Sequence, residues 1–188
     1  SPRVSVILAN LPTLKEVLEV CKKGGGELET DLKKFVKYIN DNLKSMIPEL
    51  QSWQSPFIKN NAIYIYPGDQ WKITDDDYIA ISIDFIYGIN PVNSGDPWVG
   101  LKVPDNWPGK ELFNDKLIKK LPKGFMSEWE KPEIEWPIWG YVKYENFAKE
   151  NTFDSIGFIE NISVLVGKLI KIKETIDTVL KDVQKSSK

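Results

Sequence analysis

The sequence contains no histidine, and this absence excludes several common kinds of active site. Ser-His-Asp and Cys-His catalysis need an imidazole, as do histidine general bases and histidine-containing zinc sites. The single cysteine, Cys21, excludes an internal disulfide and a cysteine-rich zinc site, and this usage is typical of a reducing compartment. Catalysis in this chain would therefore have to use carboxylates, lysine, tyrosine or a carboxylate-bound metal.

Long hydrophobic runs and a basic surplus are also missing. The most apolar run, "ISVLVGKLIKI", contains Lys168 and Lys171 and is too short to span a bilayer. The first residues of the sequence show no signal-peptide pattern, so we expect a cytoplasmic protein without membrane partners. The formal net charge is −2, and residues 51–150 carry 11 lysines against 15 acidic residues. A nucleic-acid partner stays open, but this charge does not favour one.

Helical periodicity dominates the two ends of the chain. "TLKEVLEVCKK" begins with the capping box Thr13-x-x-Glu16, and Gly24-Gly25-Gly26 follows it. We interpret the glycines as a linker, because the lysine and hydroxyl of a P-loop are missing. A regular 3.6-residue stripe predicts a second helix from 30 to 50, ended or kinked by Pro48. A wide apolar stripe predicts a long last helix over residues 153–185, which could also pair with another copy.

The middle of the chain alternates with a period of two. "AIYIY", Trp71-Lys72-Ile73, "YIAISIDFIYGI" (78–89), "WVGLKV" (98–103) and "WPIWGYVKY" (136–144) predict short strands separated by turns. In the third of these, Ile79, Ile81, Ile83, Phe85 and Tyr87 would share one face, and Asp84 would lie on the other. "KELFNDKLIKKL" predicts one short helix before the last strand.

These elements predict one α+β domain over residues 1–188. A helical hairpin (1–53) and the long helix (153–185) would cover one face of an antiparallel sheet of four or five strands (60–145). The opposite face and its loops, rich in tryptophan and acidic residues, would then be the functional surface.

All seven tryptophans lie between residues 53 and 139. They either brace loops against the sheet or form platforms for a ligand, and large aromatic side chains are mostly buried. An aspartate within a strand, such as Asp84, breaks a local preference and is a candidate functional residue. Our candidate binding residues are Asp84, Asp96, Trp98, Lys102, Trp107, Trp136 and Trp139. The sequence predicts no catalytic set, no metal site and no cofactor.

Two acidic clusters have a simpler interpretation than a site. Asp75-Asp76-Asp77 lacks the alternating oxygens and the glycine of a calcium loop, so we interpret it as a solvated turn. Glu128, Glu130, Glu133 and Glu135 include two carboxylates that could act as a glycosidase pair, but a solvated acidic loop is the better interpretation.

The order of features from Trp71 onward, "PWVGLKVP", "LFNDKLIKKLPKGF", "WPIWGYV" and a long terminal helix, resembles the non-catalytic C-terminal region of prokaryotic PD-(D/E)XK nuclease-superfamily proteins. That family holds its metal with an aspartate and an acid-x-lysine motif. Asp84 matches the aspartate, but Gly100-Leu101-Lys102 has glycine where the acid is needed, so the resemblance implies an inactive or accessory relative.

Three functions follow as hypotheses. The first is a non-enzymatic interaction module with a protein partner, accessory to a prokaryotic nuclease or defence system, or an acidic inhibitor of a DNA-binding protein. The second is a divergent metal-dependent nuclease that uses Asp84, Asp96 and Lys102. The third is a carbohydrate-binding module with tryptophan platforms.

Overall fold

The computed structural model describes residues 28–85, 97–142 and 155–186. Five strands form one antiparallel sheet in the order β1-β2-β3-β4-β5. They are β1 (Phe57–Lys59), β2 (Ala62–Ile65), β3 (Ala80–Asp84), β4 (Trp98–Lys102) and β5 (Ile138–Tyr141). The helices of the described residues are α1 (Leu28–Met46), α2 (Lys110–Lys120), α3 (Ser155–Lys171) and α4 (Lys173–Ser186). The predicted α+β class is confirmed.

One face of the sheet, here called the apolar face, forms the core. The register aligns Ile63 with Ile83 and Ile65 with Ile81, and it aligns Ile81 with Leu101. Helix α1 packs beside β1 and β2, whereas α3 lies across β3 and β4. The alternation predicted for β3 and β4 is confirmed, because Ala80, Asp84, Trp98 and Lys102 line the opposite face whereas the inward residues join the hydrophobic core. These inward residues are Ile79, Ile81, Ile83, Phe85, Val99, Leu101 and Val103.

The long C-terminal helix has two segments that meet at Ile172. The Ile172 amide bonds to Leu169, three residues back, instead of to the usual fourth residue. Helix α4 then packs against α2 and against the 3₁₀ turn Asp69–Trp71. Its apolar stripe is buried inside the chain itself, so pairing of this helix with another copy stays a prediction.

Two local predictions need correction. Trp71 does not begin a strand: it ends the 3₁₀ turn Asp69–Trp71, where its fully buried indole donates a 2.6 Å hydrogen bond to Asp177. Strand β1 was not predicted from the sequence, since a segment of only three residues shows no apolar-polar alternation. All three of its residues are exposed. Pairing with β2 through the turn Asn60-Asn61, both with positive φ, creates it.

The remaining predictions divide according to the described residues. Helix α1 ends at Met46 and a 3₁₀ turn begins at Pro48, as the proline predicts. The first helix of the predicted hairpin, the glycine linker and Cys21 lie outside the described residues, as do Tyr87 and Asp96. Within the described residues, no helix is long and apolar enough to cross a membrane.

Candidate binding groove

The second face of the sheet, here called the polar face, carries a concave groove. The register brings Asp84 next to Ala62 and Trp98, and it brings Gly100 next to Ser82 and Trp139. The groove has a volume of about 740 Å³. Its aromatic lining is Phe57, Tyr64, Tyr78, Trp98, Trp136, Trp139 and Tyr141, and its charged lining is Lys59, Asp76, Asp77, Asp84, Lys102, Asp105, Glu133 and Glu135.

Three tryptophans form one wall of the groove. The Trp98 ring meets Trp136 edge-to-face at 5.9 Å between centroids, and it meets Trp139 in the same way at 6.4 Å. Tyr141 extends the wall with an edge-to-face contact to Trp139 at 5.2 Å. The Trp139 indole N–H donates to the Lys131 carbonyl at 3.0 Å, which anchors the ring. All three indoles are half-buried, so they brace one another and still present surface to the groove.

Gly100 makes room for this wall. A Cβ at this position would lie 2.8 Å from the Ile138 carbonyl oxygen and 2.9 Å from a ring carbon of Trp136. The space that the missing side chain leaves is therefore filled by the Trp136 indole and the neighbouring strand. Gly100 does not leave a gap for a ligand; it allows the tryptophan wall to sit close to the sheet.

Tyrosines and a phenylalanine form the opposite wall, which comes from β1, β2 and the residues before β3. Phe57 stacks on Tyr64 with 5.4 Å between ring centroids, and Tyr66 stacks on Tyr78 at 4.2 Å. Phe57 also meets Tyr66 edge-to-face at 6.3 Å, which connects the two pairs. Phe57 is 41% exposed, although it belongs to this cluster.

The floor between the walls is polar and buried. Asp84 and Ser82 are both 0% exposed. Burial raises the pKa of Tyr64, and the Asp84 charge raises it further, while Lys102 and the Ser82 hydroxyl oppose the shift. Tyr64 therefore stays a neutral phenol near neutral pH. The Ser82 hydroxyl lies near this phenol but makes no hydrogen bond of good geometry within the described residues.

Lys102 joins two loops at one end of the groove. Its ammonium donates to Asp105 at 2.7 Å and to Glu135 at 2.8 Å, and it lies 5.1 Å from the centroid of the Trp136 ring. Burial alone would lower the pKa of Lys102, but the hydrogen bonds and charges of the two carboxylates outweigh it and raise that pKa. The same ion pair lowers the pKa of Asp105. Lys102 therefore stays positively charged, and its ion pairs connect the loop after β4 with the loop before β5.

The two ends of the groove differ in charge. The antiparallel register decides which residues meet at each end. The start of β3, the end of β4 and the loop before β5 meet at one end, here called the acidic end; it carries Lys102 and a set of five carboxylates: Asp76, Asp77, Asp105, Glu133 and Glu135. The other end, here called the aromatic end, carries Lys59, Asp84, Trp98 and Tyr141. Ala80 and Asp84, four residues apart on β3, mark the two ends, about 13 Å from each other.

The structure brings together five of the seven candidate residues from the sequence. Asp84, Trp98, Lys102, Trp136 and Trp139 all line the groove. Trp107 lies elsewhere: it is half-buried, packs on Phe113 with 5.5 Å between ring centroids, and covers Gly109. Asp96 is outside the described residues.

Neither acidic cluster has the geometry of a metal centre. Asp75 pairs with Lys72 at 2.8 Å, and Thr74 caps the turn through Asp77, as expected for a solvated turn. In the second cluster Glu128 pairs with Lys168 and Glu135 pairs with Lys102, so this loop is partly tied down instead of fully solvated. Across the described ranges, no group of three or more acidic or cysteine side chains could hold a metal ion.

Several groove residues were not among the binding candidates from the sequence. Tyr64, Tyr78 and Tyr141 line the groove beside the predicted residues, as do Asp76 and Glu133. The alternation of β2 and β5 contains a signal for Tyr64 and Tyr141, which occupy the outward positions. Asp76 and Glu133 lie in turns 57 residues apart in the chain, and only the strand order brings them to one end.

Comparison with known proteins gives no match: no family model matches this chain, and no curated protein or solved structure is significantly similar to it.

Proposed function

We propose that this chain is a non-enzymatic binding module whose protein partner docks in the groove on the polar face of the sheet. The observation that carries the proposal is the groove itself, a cavity of about 740 Å³ between two aromatic walls. This size lies in the range of about 300–1,000 Å³ that is typical of ligand sites. Tyrosine and tryptophan are also the side chains that contribute most to protein interfaces.

The packing of the sheet supports a preformed site. All five residues of β3 are buried, and the apolar face below the groove is filled by α1 and α3. The walls are held by ring contacts and by the Lys102 ion pairs. A rigid groove loses little conformational entropy when a ligand binds, which favours recognition.

The charges of the groove give catalysis less support than binding. Lys102 has a raised pKa and two carboxylate partners, so it is a poor general base. In the register, Lys102 lies opposite Ala80, at the far end of β3 from Asp84. A nuclease based on Asp84, Asp96 and Lys102 would have to bring these groups to one metal. The relation to the PD-(D/E)XK superfamily stays a proposal. If it holds, the simplest role for this chain is that of an accessory protein in a nuclease or defence system.

Selection from a displayed random-peptide library tests the proposal without knowledge of the partner. We expect the wild-type protein to enrich a common peptide motif, and Trp98→Ala and Tyr141→Ala to lose affinity for it. Tyr141 is 39% exposed, so its substitution should leave the fold intact; near-UV circular dichroism checks this. The matched control is Val164→Ala, an exposed apolar residue on α3, which should bind like the wild type.

Two other results would redirect the proposal. The tryptophan wall beside carboxylates also suits a sugar, so binding to a glycan panel that is lost in Trp139→Ala would favour a carbohydrate-binding module. Cleavage of DNA or RNA with magnesium or manganese that is lost in Asp84→Asn would favour a nuclease. Enriched peptides that bind the wild type and both groove variants equally would refute the groove as the binding site.

A further inference from the structure

Among the described residues, the lining of the groove carries more carboxylates than cations. Its lining contains six carboxylates and two lysines. Lys102 already serves Asp105 and Glu135, so one cation is shared by two carboxylates. Asp76 and Glu133 line the acidic end as well, and both are exposed. A ligand that brings positive charge to this end would complete the local charge balance.

We propose that the ligand is a basic peptide segment of the partner, with lysine or arginine at the acidic end and a flat apolar side chain at the aromatic end. This inference rests on the proposed function, since it names the partner for the same groove. The charge of the described lining disfavours a polyanion such as nucleic acid, because phosphates would face more carboxylates than cations.

The aromatic lining suits a cation as well as an apolar group. The Lys102 ammonium lies 5.1 Å from the Trp136 ring centroid, so an indole of this wall already accepts a cation. An arginine guanidinium from a ligand would find the same kind of ring face together with carboxylates for its N–H groups.

The length of the groove sets the spacing of the ligand residues. Its two ends are about 13 Å apart along β3, which corresponds to about four residues of extended chain. We therefore expect the apolar residue and the first basic residue of the segment to lie about four positions apart. A free amine or a single amino acid would fill only one end and bind more weakly.

The probe is a fluorescein-labelled octapeptide with tryptophan at its second position and arginine at its sixth and seventh. Its partner peptide has citrulline in place of both arginines, which keeps the shape and removes the charge. In fluorescence anisotropy we expect the arginine peptide to bind about tenfold more tightly. The difference should shrink between about 50 mM and about 300 mM salt, because salt screens the acidic end.

Asp76→Asn combined with Glu133→Gln tests the acidic end directly. Both side chains are exposed, and neither makes a hydrogen bond or ion pair within the described part of the chain, so the variant should stay folded. We expect it to bind the arginine peptide about tenfold more weakly and to bind the citrulline peptide as the wild type does. The matched control removes two charges from α2, Glu111→Gln with Asp115→Asn, and should leave both affinities unchanged.

The outcomes separate this inference from the proposed function. If peptides selected from the library depend on Trp98 but contain no basic residues, the binding module stands and the basic ligand is wrong. Equal binding of the arginine and citrulline peptides, or equal losses in the groove variant and the α2 control, also overturns the basic ligand. If neither the selected peptides nor the arginine peptide depends on Trp98, both proposals fail.

Discussion

The two faces of the same sheet carry side chains of opposite chemical character. The apolar face consists of isoleucine, leucine and valine side chains that are fully buried under α1 and α3. The polar face holds charged and aromatic side chains, yet Ser82 and Asp84 on it are just as buried. Burying polar groups costs free energy, whereas burying aliphatic groups is favourable. The comparison teaches that the apolar face maintains the fold, while the polar face carries features that folding alone does not require.

The largest expected effect lies on the apolar face. Ile81→Ala removes a fully buried side chain at the centre of β3 and leaves a cavity. We expect the free energy of unfolding to fall by about 3 kcal/mol, measured by urea denaturation. Leu112→Ala, on an exposed position of α2, should change it by less than about 0.5 kcal/mol. Equal losses in the two variants would contradict the assigned core.

Gly100→Ala tests whether the polar face is packed as closely as the apolar face. The added methyl would meet the Ile138 carbonyl, the Trp139 Cβ and the Trp136 ring, so we expect a loss of about 2 kcal/mol. Displacement of the indole should also change the near-UV circular dichroism. Gly167→Ala is the matched control: its methyl would meet nothing within 4 Å in helix α3, so it should stabilise the protein by about 0.5–1 kcal/mol. A neutral Gly100→Ala would mean that the tryptophan wall sits farther from the sheet.

Lys102→Met tests the electrostatic tie on the polar face. We expect a loss of about 1 kcal/mol in the free energy of unfolding at pH 7. The folded state lowers the pKa of Asp105 below its ordinary 3.8, so this contribution is present above that value and disappears as the pH falls through the lowered pKa. The folded state raises the pKa of Lys102 above 10.5, so its contribution is present below that value and disappears as the pH rises through the raised pKa.

The pH dependence of unfolding distinguishes this tie from an ordinary surface pair. Between about pH 4 and pH 10 the wild type should exceed Lys102→Met in stability, and the two should converge at both extremes. Lys37→Met breaks the exposed pair with Asp41 on α1 and should cost only about 0.3 kcal/mol. If the two lysine variants lose the same stability, Lys102 contributes no more than a surface charge.

The smallest effect on stability is expected where the effect on binding is large. Asp76→Asn with Glu133→Gln should change the free energy of unfolding by less than about 0.5 kcal/mol, because both side chains are exposed. The same variant is expected to lose affinity for the arginine peptide. A large loss of stability would show that these carboxylates serve the fold, and it would remove the contrast between the two faces at this end.

Local periodicity made much of the fold predictable from the sequence. Alternation placed Val99, Leu101 and Val103 inward and Trp98 and Lys102 outward, and the structure agrees. Such patterns need only the neighbouring residues, because the direction of a side chain follows from the geometry of its own strand or helix. The short strand β1 and the turn at Trp71 escaped this reasoning, since each depends on a partner elsewhere in the chain.

The sequence by itself determined the α+β class, the inward residues of β3 and β4, and the absence of histidine chemistry. Only the tertiary structure decided that Trp136 fills the space above Gly100 and that Lys102 is shared by two loops. It also separated Trp107 from the groove and brought Asp76 and Glu133 to one end. The physical reason is that these relations depend on strand pairing and loop packing between distant residues, which no local period of a sequence encodes.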